Sequence, residues 1–410
     1  MTVSPQAAAK SLLSATAVRE RAHAMLALGD RLPNFRVDLA RLDDAAQLVI
    51  DTTRASYPSL NIPFHSRWRH FDIDGFDYWD EIDQAMAWPS AAERARAAFD
   101  LAIVSVLLDA GAGPNWQFRY PVSGEAIGRS EGLALASLVM FRDCEFSMWP
   151  SRPLRVDASI LTDFTEAKII RGFQVSNDNP LRGVAGRTDL LRRLGQTVMA
   201  APDIFARNDS PRPGGFFDHL ASIAKNKKIA AAAILSELLV HLGPIWPSRL
   251  TLGGVALGDC WKHSAMKTDD ETNGLVPLHK LSQWLAYSLI EPLQWAGIEV
   301  VDIDGLTGLA EYRNGGLFID TGVLALRDPA AAQREHDVGS ELVVEWRALT
   351  VALLDLLADV MRARLKMDRQ SLPLARILQG GTWAAGRIIA KRKRADGEPP
   401  LKIVSDGTVF

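Results

Sequence analysis

Two cysteines, Cys144 and Cys260, are all that this chain of 410 residues contains. Two cannot build a disulfide framework or a cysteine-rich zinc site, so a reducing compartment fits. An excess of one charge is also missing, because 46 Lys and Arg stand against 49 Asp and Glu, for a formal net charge of −3. Duplex DNA and RNA binders need a basic excess, so nucleic acid is not an expected partner. The one dense basic run, Lys391-Arg392-Lys393-Arg394, reads first as a solvated face and second as a grip on a substrate phosphate or acidic partner. No apolar run reaches membrane-spanning length, and the first residues lack the basic start and apolar core of a secretory leader. The expectation is a soluble cytoplasmic protein with no membrane partner. A phosphate loop, a GxSxG elbow, an HExxH motif and a dinucleotide fingerprint are absent too. "DIDGFDYWD" (72–80) lacks the ligand spacing of a calcium loop and reads as an acidic turn with aromatic anchors.

Helical patterns dominate what is present. "AAERARAAFDLAIVSVLLDAG" (91–111), "GEAIGRSEGLALASLVMF" (124–141), "LTDFTEAKIIRGF" (161–173) and "SELVVEWRALTVALLDLLADVMRARLKM" (340–367) combine good helix formers with apolar faces. Strand signals concentrate in 298–326, where Asn314-Gly315-Gly316 reads as a turn between short apolar runs. The expected fold is mainly α and forms a single domain over 1–410. It has a helical extension at 1–30, a small β-hairpin or ribbon at 298–326, and C-terminal helices and a tail at 340–410.

Three stretches carry residues suited to chemistry. In "LGGVALGDCWKHSA" (252–265), small residues lead to Asp259, Cys260, Trp261, Lys262 and His263. If the run continues as a helix, Asp259, Lys262 and His263 share a face and Trp261 points elsewhere. Asp259 is then either a desolvated general base or half of a surface ion pair with Lys262, and spacing alone favours the pair. Cys260 reads as a small buried apolar residue ahead of a nucleophile. "VPLHKLSQWLAY" (276–287) offers His279, Lys280 and Gln283, with Trp284 and Tyr287 to pack or stack. Asp259, His263 and His279 lack the spacing logic of a metal site, so no metal is expected. "GLAEYRNGGLFID" (308–320) carries Glu311, Tyr312 and Arg313. Arg313 with the Gly315 and Gly316 N–H groups can grip a phosphate or carboxylate; a cross-strand salt bridge beside an ordinary turn competes equally. "HSRWRHF" (65–71) reads as a helix surface ahead of an anion site.

"PFHSRWRHFD", "VSVLLDAGAG", "RSEGLALASLVMF", "LTDFTEAKIIRGF", "LGDCWKH", "PLHKLSQWLAYSLIEPL", "LTGLAEYRNGGLF", "GGTWAAGR" and "SDGTVF" together resemble the uracil-catabolism protein family of the URC pathway, long known as a domain of unknown function. The resemblance runs from about residue 30 to Phe410. It implies a role in breaking uracil down to a three-carbon acid and urea through ring-opened ribosyl intermediates. The order of segments from 99 to 290 is also similar to the queuosine-salvage N-glycosylase family, whose helical fold is akin to DNA glycosylases. In that family a helix ending in an Asp, with Trp two residues on, contributes the catalytic carboxylate. "ALGDCWKH" matches this at Asp259, "VSVLLDAGAGPNW" matches a base-pocket segment at Asp109 and Trp116, and "LSQWLAY" matches a following helix at Gln283 and Tyr287. The glycosylase family has an acidic residue before its tyrosine-arginine pair, where Leu278 stands before His279 and Lys280 here. A leaving group other than a deazaguanine is therefore implied.

Together the two resemblances imply a cofactor-free N-ribosyl hydrolase acting on a small-molecule ribosylurea or its 5′-phosphate. Lys262 or His263 is then the proton donor or, with Arg313, a phosphate ligand. Amide or ureido hydrolysis of the opened ring is the first alternative, and a non-catalytic binding partner of the pathway enzymes is the second.

Overall fold

The computed structural model describes residues 4–109, 111–113, 115–149, 154–206, 210–246 and 250–404. The chain is mainly helical, as expected, and every sheet among the described residues has two strands. No helix among them is long and apolar enough to cross a membrane. Two compact units emerge, each from separated stretches of chain. One is drawn from Met1–His65, Ser248–Gln283 and Asp302–Ser405, the other chiefly from Ser66–Pro247 and Trp284–Val301.

The first unit is organised by the helix Glu341–Leu365, in which Val343, Val344, Trp346, Leu349, Val351, Leu353, Leu354 and Leu357 are all buried. A helix apolar around its circumference has to be enclosed, and Ala15–Leu26, Leu42–Ser56 and Tyr312–Asp320 pack around it. Ala15–Leu26 starts at Ser14, whose side chain accepts the Ala17 N–H. Inside the enclosed stretch stand Glu345 and Arg347, 0% and 1% exposed. Charges that deep require partners, and Arg347 finds its partner in the candidate site.

In the second unit the helix Ala91–Leu107 takes the central place, capped by Ser90 and buried almost continuously from Ala97 onward. Arg129–Arg142 and Phe216–Ile223 pack on it. Its one fully buried carboxylate, Asp100, accepts from Arg212 Nη2 at 2.5 Å, Val156 N at 3.0 Å and Gly214 N at 2.5 Å.

The expected ribbon at 298–326 is not formed. Glu299–Val301 pairs in parallel with Lys228–Ala230, and Leu324–Leu326 pairs antiparallel with Phe35–Val37. Between them Tyr312–Asp320 is a helix, started by the Glu311 carboxylate, which accepts the Arg313 and Asn314 N–H groups. Asn314-Gly315-Gly316 reads as a turn locally, but a Cβ at Gly315 would lie 2.7 Å from the Trp346 ring. Glycine is there to let this helix approach the long one closely. The 65–71 stretch also departs from its surface reading, because Arg67 and Trp68 are 0% and 2% exposed.

Candidate functional site around Asp259

The run 252–265 is not helical. Thr251–Leu252 and Val255–Ala256 form a hairpin whose turn residues, Gly253 and Gly254, have φ of 56° and 79°. Such two-residue turns need positive φ, which glycine adopts without strain. The chain then enters the strand Cys260–Lys262, paired antiparallel with Leu275–Pro277. Asp259, Lys262 and His263 therefore share no helical face. Lys262 is exposed on the strand, and Asp259 pairs with Arg347 instead of Lys262.

Four donors hold the Asp259 carboxylate. Arg347 meets it in a fork, Nη1 to Oδ1 and Nη2 to Oδ2, both at 2.8 Å. Trp261 Nε1 donates to Oδ1 at 2.6 Å, and the Lys280 N–H donates to Oδ2 at 3.0 Å. Lys280 opens the helix Lys280–Trp295, so the carboxylate sits where a helix favours negative charge. The Asp259 carbonyl accepts the Leu278 and His279 N–H groups at 2.9 and 3.2 Å. Trp261 is itself pinned, since a Cβ at Gly339 would come within 2.6 Å of its ring.

Burial by itself would raise the Asp259 pKa, but the Arg347 charge and the fork hydrogen bonds reverse this and hold it at about 2. The carboxylate is thus ionised throughout the neutral range, and its side chain keeps 16% exposure. Because the folded pKa lies below the ordinary 3.8, the stabilisation it reports is present above about pH 4 and lost as pH falls toward 2. That amounts to ~2 kcal/mol. Acid unfolding of Asp259→Asn should lack this component, and a stability–pH slope between pH 4 and 2 identical to the parent's would contradict the assignment.

Around this carboxylate the first unit gathers further polar groups. Arg347 Nε also reaches the Ala310 carbonyl at 3.4 Å, next to Glu311. Burial raises the Glu311 pKa, while the two capped N–H groups and the Lys280 ammonium oppose the rise. His65 is driven down to about 4 by burial, with a Gln379 hydrogen bond opposing and Lys280 reinforcing the shift. It is neutral at pH 7. Lys280 is thus the common neighbour: its N–H donates to Asp259, and its ammonium acts on both Glu311 and His65.

Other sequence-selected residues of this unit have structural partners. His263 is 1% exposed; its Nδ1 accepts the Ala265 N–H, and Nε2 lies 3.3 Å from Glu345. His279 is buried at φ 47°, with Nε2 3.0 Å from the Leu12 carbonyl. Gln283 exchanges hydrogen bonds with Thr307, Nε2 to Oγ1 at 2.5 Å and Oε1 from N at 2.8 Å. Tyr312 is half-buried at the first position of its helix. Neither alternative weighed for Arg313, an anion grip beside a glycine turn or a cross-strand salt bridge, has its turn here, since the residue lies in a helix, Nη1 donates to the Gly397 carbonyl and the Gly315 N–H bonds to Glu311 O.

Asp109, Trp116 and Tyr287 belong to the second unit. Asp109 pairs with Arg67 at 2.8 Å and accepts from Ser130 Oγ at 3.3 Å. Trp116 donates to the Phe173 carbonyl at 2.9 Å, and Tyr287 is fully buried. A cavity of about 230 Å³ in the first unit does not include Asp259. Arginines and aspartates in its wall pair with one another, as in Arg19–Asp355 at 2.9 Å and Arg362–Asp304 at 2.5 Å, so its charge is compensated internally.

Sequence reasoning missed Arg347. The signal was available, because a lone Glu345/Arg347 pair in the apolar run 343–354 has to find partners from elsewhere in the chain.

The chain matches the family described as "Protein of unknown function (DUF1688)" over residues 11–410. It is 39% identical over 411 residues to "Protein urg3" of Schizosaccharomyces pombe, covering 97% of this chain and 98% of that protein. It is 36% identical over 411 residues to "Uracil catabolism protein 4" of Lachancea kluyveri, covering 92% of each.

Proposed function

The chain belongs to the DUF1688 family, a family of uracil catabolism, and from that premise we propose that it is an N-ribosyl hydrolase. Its substrate in this reading is ribosylurea or its 5′-phosphate. The C1′–N bond breaks, water supplies the oxygen of the new C1′–O bond, and a proton passes to the departing nitrogen to release urea.

The observation that carries this reading is the Asp259 carboxylate, ionised at neutral pH and held in one orientation by Arg347, Trp261 and the Lys280 N–H. Hydrolysis at C1′ passes through an oxocarbenium-like transition state, which a fixed anion stabilises without reorganising. A group with a pKa of about 2 is a weak base at pH 7, so Asp259 acts by its charge. The similarity to the queuosine-salvage glycosylases supplies the reaction type. We assign proton delivery to Glu311, one residue beyond the Ala310 carbonyl that Arg347 Nε contacts, whose pKa burial raises. Activity controlled by that acid declines as pH rises through its pKa, and Glu311→Gln should remove this decline from the kcat–pH profile. An unchanged profile would take Glu311 out of the role.

A thiol mechanism for ureido hydrolysis is disfavoured. Cys260 is 0% exposed within a cluster of Ala9, Leu12, Leu257 and Leu275, and burial, reinforced by the Asp259 charge, pushes its thiol up to about 12. Cys260→Ala is expected to keep turnover within about twofold and to cost on the order of 1 kcal/mol of stability. Loss of turnover in a folded Cys260→Ala protein would revive the thiol.

The deciding assay incubates the purified protein with ribosylurea and, separately, its 5′-phosphate, following urea and free sugar. Equal release of both establishes glycosidic cleavage. Urea without free sugar from either compound, or binding with no products, sinks this reading and leaves ring hydrolysis or a non-catalytic partner.

A further inference from the structure

The second unit carries a cluster unrelated to Asp259. The helix Phe216–Ile223 presents His219, and the helix Ala231–His241 presents Glu237 and His241, four residues apart on one face. His219 Nε2 lies 2.6 Å from Glu237 Oε2, and His241 Nε2 lies 3.2 Å from the same oxygen. All three ligand atoms fall within 4.8 Å of one another. The side chains are 15%, 29% and 23% exposed, so solvent reaches one side. Phe216, fully buried, stacks on the His219 ring at 5.7 Å and backs the other.

From this convergence we propose that His219, Glu237 and His241 form a binding site for one divalent transition-metal cation of the zinc class. Two imidazoles and a carboxylate are a donor set that suits zinc or iron(II) and not magnesium or calcium, which prefer all-oxygen shells. Tetrahedral zinc at 2.0–2.1 Å from nitrogen sets ligand atoms about 3.3 Å apart. The His241–Glu237 spacing already matches, and the His219–Glu237 contact has to open by roughly 0.7 Å. Both Nε2 atoms aim at one oxygen, and each ring binds the ion through the bare Nε2 of its Nδ1–H tautomer; a proton on Nε2 of a neutral ring moves through solvent to Nδ1, and only a cationic ring or a protonated Glu237 releases one to solvent. With three protein ligands and an open side, water completes the shell.

The test uses the full-length protein, cleared of metal with a chelator and titrated with Co²⁺ in the absence of any substrate, so that it is independent of the proposed hydrolase activity. The expected result is an intense visible band saturating at one Co²⁺ per chain, displaced by Zn²⁺ and not by Mg²⁺. His219→Ala and His241→Ala should each weaken binding by at least about 100-fold. Glu237→Gln, which keeps size and hydrogen bonding, should weaken it in a protein whose circular dichroism matches the parent. No saturable band in the parent, equal displacement by Mg²⁺, or undiminished binding in folded variants overturns the assignment.

Discussion

On the proposed N-ribosyl hydrolase reading, Asp259→Asn should lower ribosylurea turnover about a thousandfold, the scale on which loss of a preorganised charge acts. The same change leaves Arg347 buried beside a neutral amide. Removing one partner of a buried pair costs ~3–5 kcal/mol, mostly because the other charge stays desolvated. Lost activity alone therefore cannot separate a catalytic carboxylate from a structural one, because Asp259 also receives the first N–H of the Lys280–Trp295 helix. Combining Asp259→Asn with Arg347→Met separates them. Removing both charges should recover most of the lost stability, whereas under the proposed mechanism a protein lacking the Asp259 anion stays inactive. Recovery of stability and turnover together in the double variant would reduce Asp259 to a structural role.

Asp109→Asn is expected to have the second large effect, on the second unit. Arg67 is 0% exposed, and burial lowers its pKa against the opposing Asp109 and Glu131 charges. Burial also brings Arg187 down to about 10, again opposed by Asp109. One carboxylate thus stabilises two desolvated guanidiniums, and neutralising it should cost ~3–5 kcal/mol. Urea unfolding would register this as a lower midpoint at unchanged slope. Adding Arg67→Met should recover part of the loss, since Arg67 Nη1 is the group bonded to Asp109 Oδ1. Unchanged stability with a raised KM would instead make Asp109 a substrate contact, the role its resemblance implies.

The local sequence was sufficient for much of the helical content, because helix propensity and apolar periodicity are short-range properties. Glu341–Leu365 and Ala91–Leu107 lie within the stretches 340–367 and 91–111 read as helical. Family membership was also legible, since it rests on motifs spread along the chain and requires no three-dimensional knowledge. Where local signals misled, a distant contact had decided the matter. Asn314-Gly315-Gly316 carries turn chemistry, but packing on Trp346 makes glycine the residue a helix needs there. "LGGVALGD" has no strong strand signal, and it forms a hairpin through positive φ at Gly253 and Gly254.

The site divides in the same way. The sequence by itself determined that Asp259 is a carboxylate between small residues and a tryptophan, and the resemblance marked it for chemistry. Only the tertiary structure decided its ionisation. The cation that holds it near a pKa of 2, Arg347, is 88 residues away in sequence, beyond the reach of any spacing rule. Coulomb energy depends on separation in space and on how much water intervenes, and both are set by the long helix that carries Arg347 into the core.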